Sequence, residues 1–491
     1  MSFFECHDCI KLQPSGLCAP QKFSCRVILP KEQRESPMTD IDYLVYPQWI
    51  VPIIPRQTVL TDHCIAVADG QIVDLCPSSQ GRTLNAKHSI ELPGQVLMPG
   101  LVNCHGHSAM TLFRGYADDQ PLMTWLQQHI WPAEKAFVSE DFVRDGTDLA
   151  LAELLLGGTT TFSDMYFYPD ITAQRADFAG LRAQLVFPVL DGPSAWARDS
   201  EDYLAKGLQL RDHYRDHERI EIGFGPHANY TVSEATLKRV ATLANELDAP
   251  VQIHLHETQG EVQMSVENLG ERPIEQLQRI GLLGPRSQCV HMTALADADF
   301  QILESTGAHV IHCPRSNMKL AAGICPVQRL LDRHINVALG TDGAASNNRL
   351  NMIAEMQGAA LLGKLESGES AAVSAVTALE MATINGAKAL GMEQKIGSLE
   401  IGKQADMIAL QMDGLAMQPI NNVLSHLVYA TSGAELTHSW VAGHLLVVDQ
   451  QLSTLSASHI AASADSWRAR LLDFHALKMG THPEQPPEIN H

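Results

Sequence analysis

Short apolar runs alternate with longer amphipathic stretches over most of this chain. The runs fall at 95–104, 158–166, 183–190, 220–226, 250–256, 287–292, 308–313 and 335–341. Each is short and evenly apolar, as buried strands are. Apolar residues recur every three to four positions over 140–157, 233–247 and 352–364, which predicts helices there. Strands alternating with helices indicate a parallel sheet. Eight strands with seven intervening helical stretches match an α/β fold of the closed (β/α)8 TIM-barrel type. Residues 374–391 read as a helix that closes the barrel, and 456–476 as a C-terminal helix.

The flanks follow a different period. Cys64–Val67 and Gln71–Leu75 are strand-like runs around Ala68-Asp69-Gly70, a strong hairpin signal. Far downstream, Met407–Leu410 and Trp440–Val448 repeat this β character. Neither tract can enclose a core by itself. Together they predict a small β-sandwich built from both chain ends, 38–95 with 397–455, around a barrel over 96–396. A C-terminal helix and tail over 456–491 would complete the chain.

Composition narrows the function. The 491 residues are 45% hydrophobic and 19% charged, which fits a large globular core. Thirty-five basic residues against 56 acidic ones leave a formal charge of −21. That field opposes nucleic acid and anionic membranes, so a small neutral or cationic substrate is expected. No run approaches the ~20 apolar residues of a membrane span. Six of the ten cysteines (64, 76, 104, 289, 313 and 325) lie in or beside apolar runs, as reduced thiols of a cytoplasmic protein do. The other four crowd into the first 25 residues, and Cys6-x-x-Cys9 has the spacing of half a zinc knuckle. Residues 1–37 lack periodic apolar positions, however. They read as a disordered extension, or as sequence upstream of the true start near Met38.

The chemistry sits at the strand ends. The first run leads into His105-Gly106-His107, and alternate strand residues share a face, so both imidazoles aim one way. The fourth run ends at His227, the sixth at His291 and the eighth at Asp342. The fifth contains His254-Leu255-His256-Glu257, where His254 and His256 share a face and spacing cannot choose between them. Strand C-termini of a barrel converge on one site. A shared metal site follows.

The motifs Pro99-Gly100-Leu101-Val102-Asn103-Cys104-His105-Gly106-His107, His254-Leu255-His256-Glu257-Thr258, His312-Cys313-Pro314-Arg315-Ser316-Asn317, Gly340-Thr341-Asp342-Gly343 and Gly397-Ser398-Leu399-Glu400-Ile401-Gly402 resemble the amidohydrolase superfamily, in its branch of triazine hydrolases and adenosine-type deaminases. The resemblance covers about residues 40–450. It implies His105, His107, His254 and Asp342 as ligands of one divalent metal, with His256 behind the site or facing solvent. Zinc suits three imidazoles and a carboxylate, and ferrous iron is the alternative. Some relatives bridge two metals with a lysine on a middle strand. Runs three and four carry no Lys, which implies a single ion.

The resemblance further implies hydrolytic deamination of the adenine of 5′-methylthioadenosine, with S-adenosylhomocysteine or adenosine as further substrates. Glu257 would protonate the ring, Asp342 would move the water proton and His291 would steady the nucleophile. The strand should then end near Glu257 to release it from the face of its neighbour. Glu134, 27 residues beyond His107, would accept from the ribose hydroxyls. His227 would touch the nucleoside, while Trp131 and Trp125 would wall its pocket. Close relatives carry Arg near the end of strand three, and Phe187 stands at the corresponding place, with Arg198 as a possible substitute. That departure implies a preference for the uncharged thioether. A guanine-type deaminase or a triazine hydrolase would use the same scaffold. A non-catalytic scaffold protein should have lost ligands that are all present here. A homodimer or larger homo-oligomer is a further expectation from the resemblance.

Overall fold

A computed structural model describes residues 40–479, with side chains to 476. The expectations for residues 1–37, including Cys6-x-x-Cys9, and for the tail beyond 479 lie outside the described residues.

Eight parallel strands form one sheet in chain order. They are Leu101–Asn103, Thr159–Asp164, Arg182–Val189, Ile220–Pro226, Val251–Leu255, Ser287–His291, His309–His312 and Val337–Leu339. Beyond the first strand, the Cys104 N–H donates to the Leu339 carbonyl at 2.9 Å and brings the last strand back to it. Every residue of the second and third strands is buried, as a sheet covered on both faces requires. The outer face carries the helices. Phe187 packs there on helix Ser200–His213, where a Cβ added to Gly207 would meet its ring at 2.4 Å. Helix Glu140–Leu156 starts at Ser139, whose hydroxyl accepts from the Phe142 N–H, and stops before Gly157 and Gly158.

The second sheet is continuous across both chain ends. Its centre pairs Met407–Gln411 antiparallel with Ala86–Pro99. The hairpin of His63–Ala68 and Gln71–Pro77 turns through Asp69 (φ 49°) and Gly70 (φ 77°), two left-handed residues as a tight hairpin needs. Its tip returns to the opposite end of the sheet, where Gly70 meets Gly443 and Ile72 donates to Lys403 O at 2.8 Å. The expected sandwich is therefore one eight-stranded sheet folded over, with Val45, Ile65, Val67, Met407 and Trp440 between its layers.

Two sequence expectations differ from the structure. The run 95–104 is not one barrel strand. Residues up to Pro99 belong to the folded-over sheet, and only Leu101–Asn103 enter the barrel. Gly100 makes the transfer against Thr160, whose Oγ1 lies 2.1 Å from where a Cβ would sit. Residues 374–391 form two short helices, Ala375–Met381 and Ile384–Ala389. They break at Thr383, whose hydroxyl donates to Leu379 O. The C-terminal helix Ala457–Met479 lies on Glu140–Leu156 through Trp467, which donates to Asp145 at 2.8 Å and packs on Phe142. No described helix is long and apolar enough to cross a membrane.

Candidate metal centre and active-site cavity

The loops after the first and last strands are laced together by Asn103. Its amide nitrogen donates to Thr341 Oγ1 at 2.8 Å, and its oxygen accepts from the Thr341 N–H at 2.9 Å. This holds Asp342 beside the histidine pair. Asp342 Oδ1 lies 3.5 Å from His105 Nε2 and 3.2 Å from His107 Nε2. His254 completes the group, and one ligand atom from each of the three histidines falls within 4.8 Å of the others.

All three rings are oriented from behind. Nδ1 of His105 donates to Gln252 Oε1 at 2.6 Å, that of His107 to Met165 O at 2.6 Å, and that of His254 to His227 O at 2.8 Å. Each proton therefore sits on Nδ1, and each Nε2 lone pair faces the common centre. His105 Nε2 is buried without any hydrogen-bond partner. An orphaned buried acceptor costs about 1–3 kcal/mol, so the donor set fits a cation. Burial also holds His105 and His254 below the usual histidine range, in the neutral form that binds metal. His107 is the exception: burial opposes its charge, but the bond to Asp342 lifts it to about 9. A divalent ion would replace that proton. Asp342 is held as an anion, since His105 and His107 outweigh its burial and keep it well below the carboxylate range. Its Oδ2 accepts from Ser316 and Ser346 at 2.6 and 2.7 Å.

The fifth strand ends at Leu255, and His256 takes a left-handed φ of 52°. This turn sends His256 away from the cluster while Glu257 enters the cavity. His256 does not face solvent. It is fully buried, with Nε2 accepting from the Ile274 N–H at 3.2 Å. Glu261 fixes the turn, its two carboxylate oxygens accepting from the N–H groups of His256 and Glu257 at 3.1 and 2.7 Å. Burial, reinforced by the charge of Asp342, pushes the Glu257 carboxyl up to about 8. His291 Nε2 lies 3.8 Å from Glu257 Oε1, and its Nδ1 donates to Asn317 Oδ1 at 2.9 Å.

Above these groups opens a cavity of about 720 Å³. His107, His254, Glu257, His291 and Asp342 reach its floor, and Trp125, Trp131 and Glu134 line it from the segment 122–137. That segment includes one π-helical stretch, Trp125–Ile130. Glu134 Oε1 accepts from the Tyr166 hydroxyl at 2.8 Å, and burial pushes its carboxyl up to about 7. His227 also lines the cavity, kept neutral by burial at about 4.

Residues 96–446 match the amidohydrolase family. The chain belongs to that family. It is 53% identical over 434 residues to a 5-methylthioadenosine/S-adenosylhomocysteine deaminase of Teredinibacter turnerae, covering 88% of this chain and 98% of the relative. A 5′-deoxyadenosine deaminase of Methanosarcina acetivorans is 39% identical, covering 86% and 96%. A solved adenosine deaminase of Xanthomonas campestris with bound zinc superposes with a TM-score of 0.87 at 44% identity, covering 88% and 98%.

In this amidohydrolase Phe187 does not occupy the cavity position expected from the relatives' Arg. The Phe187 side chain faces the helix layer and is fully buried, so it does not reach the cavity. Pro188 and Leu190 form that wall instead. Arg198 does not replace a missing cation there, because it is largely exposed and bonded to Asp202. Tyr166, Glu261, Gln252, Asn317 and the two serines on Asp342 were not foreseen. Gln252 reaches residues 147 and 148 positions away, His105 and Cys104, which no local pattern signals, whereas Glu261 and Ser346 bond partners only four or five residues away.

Proposed function

We propose that this chain is a zinc-dependent deaminase of 5′-substituted adenosines, exchanging the 6-amino group for oxygen and releasing ammonia. The observation that carries the reading is one site holding both a cation-ready His3Asp set and a buried carboxyl, Glu257, whose burial raises its pKa. His105, His107, His254 and Asp342 would hold the ion, and three imidazoles with one carboxylate favour zinc over iron. A bound divalent ion supplies Lewis acidity and lowers the pKa of water toward 7. Glu257 delivers its proton to ring N1 as water attacks C6. Asp342 takes one proton from that water and passes it to the departing amine, and the remaining hydroxyl proton returns to Glu257 as the C6 carbonyl forms. His291, with Nδ1 committed to Asn317, offers Nε2 as an acceptor that aligns the water.

Glu134 would accept from the ribose hydroxyls with the oxygen that Tyr166 leaves free. Pro188, Leu190 and Pro193 give the 5′ substituent an apolar wall. Among the described residues lining the cavity, Lys135 is the one lysine or arginine. An uncharged thioether therefore suits the site better than an amino-acid tail, whose charges are costly to desolvate unpaired. Ammonia release should be measured for the zinc-loaded protein on methylthioadenosine, S-adenosylhomocysteine, 5′-deoxyadenosine and adenosine. We expect kcat/KM on methylthioadenosine to exceed that on S-adenosylhomocysteine by roughly tenfold, the scale of one lost pairing. Equal values would overturn the preference, and no turnover of any nucleoside would overturn the activity.

Two further outcomes follow from the carboxyl groups. Glu257 acts in its protonated form, which is lost as pH rises through its raised value of about 8. A nearby cation lowers that value, so kcat/KM should decline at or just below pH 8 with unit slope. A flat profile to pH 9.5 would remove Glu257 as the acid. Replacing Glu134 with Gln should raise KM for nucleosides by roughly 10- to 100-fold, since a charge-assisted bond is worth about 1.5–3 kcal/mol. KM for free adenine should stay the same.

A further inference from the structure

The metal-facing histidines are not held alike. His107 and His254 donate to backbone carbonyls, whereas His105 donates to the side chain of Gln252. Gln252 in turn begins a chain of amides across the barrel interior. Its nitrogen donates to Gln288 Oε1 at 2.7 Å, Gln288 donates to Gln184 Oε1 at 2.6 Å, and Gln184 donates to Glu221 Oε2 at 2.7 Å. At the far end, Glu221 is partly exposed and accepts from Arg286. The three glutamines are fully buried, in a layer where barrels normally place bulky aliphatic residues.

The direction of the chain is fixed at every step. The amide nitrogens of Gln252, Gln288 and Gln184 also donate to the carbonyls of Cys104, Ala389 and Leu390, at 2.9, 3.0 and 3.0 Å. A carbonyl only accepts, so turning any one amide over would set oxygen against oxygen. Every link points its donors toward Glu221 and its acceptor toward His105. Aligned bonds of this kind polarise one another in a low-dielectric interior. The result at the near end is a fixed acceptor that keeps the His105 proton on Nδ1 and its Nε2 on the metal side.

We propose that Gln252, Gln288, Gln184 and Glu221 form a positioning chain that sets the tautomer and ring orientation of His105 and so tunes metal affinity from the opposite side of the barrel. This rests on His105 being a metal ligand. The test is the zinc dissociation constant, measured by competition with a chromogenic chelator, beside the melting temperature of each metal-free variant. Partners behind a ligand typically change metal affinity by about 10- to 100-fold. Gln252→Met should weaken zinc binding to that extent. Gln288→Leu should weaken it by roughly tenfold, and Glu221→Gln by roughly threefold through loss of the terminal charge, on the same scale. Wild-type affinity in a folded Gln288→Leu protein overturns the proposal, even if its melting temperature falls. Should Gln288→Leu not fold, Glu221→Gln, altered at the partly exposed end, decides alone, and unchanged affinity there overturns the long-range coupling. A wild-type protein that binds no zinc would instead overturn the metal reading itself.

Discussion

Glu257→Gln is expected to lower kcat on methylthioadenosine by about 10³- to 10⁴-fold, the upper range of general acid catalysis, with zinc content unchanged. Glutamine has the shape of the protonated acid but no proton to give to ring N1. The backbone should keep its course, because Glu261 binds the N–H groups at 256 and 257 and not the side chain that is changed. The donors of the metal set lie on other residues, with His254 anchored by His227 O. KM should therefore move little while kcat collapses, and the alkaline limb of the pH profile should disappear with the group that produces it. Metal analysis alongside single-turnover kinetics checks this. Loss of zinc from the variant would assign Glu257 to the metal rather than to the proton.

Much of this site is legible because barrel geometry turns strand ends into coordinates. An apolar run followed by His-Gly-His, or by Thr341-Asp342, marks a residue for the rim without any knowledge of its neighbours. The resemblance could prefer His254 to His256, but the physical reason is conformational. The chain leaves the strand at His256 with a positive φ, which the two bonds to Glu261 stabilise. Alternation alone puts both rings on one face. The misreading of 95–104 has a related origin. Both sheets bury that run, so hydrophobicity carries no mark of the transfer at Gly100. Phe187 stands where the resemblance sets the relatives' Arg, near a strand end, yet neighbouring strand residues face opposite ways. Pro188 looks inward and Phe187 outward. The amide chain behind His105 was least legible of all, since a lone Gln in an apolar run has no partner in its own segment.

Asp342→Asn should be far more damaging than its near-identical shape suggests, and damaging in a different way from Glu257→Gln. Every polar neighbour of this carboxylate is a donor or a would-be metal site. The Ser316 and Ser346 hydroxyls donate to Oδ2, and the Gly343 N–H donates to Oδ1 at 2.7 Å. An amide nitrogen in place of Oδ2 would point its hydrogens at the two serines. In place of Oδ1, it would meet the Gly343 N–H and the cation position. The second orientation strands the Gly343 N–H, at about 1–3 kcal/mol, the first obliges the two hydroxyls to turn and accept instead, and both remove the anion opposite the ion. Zinc affinity should fall by at least about 100-fold, the upper end for losing even an indirect partner. Turnover should fall by about 10⁴-fold or more even with zinc in excess, because no carboxylate remains to carry the water proton. Metal content after gel filtration, compared with activity under saturating zinc, separates the two losses. Full zinc occupancy with no turnover would leave Asp342 only its proton-carrying role. Full occupancy with normal turnover would remove it from both, and the cation would then rest on the three histidines alone.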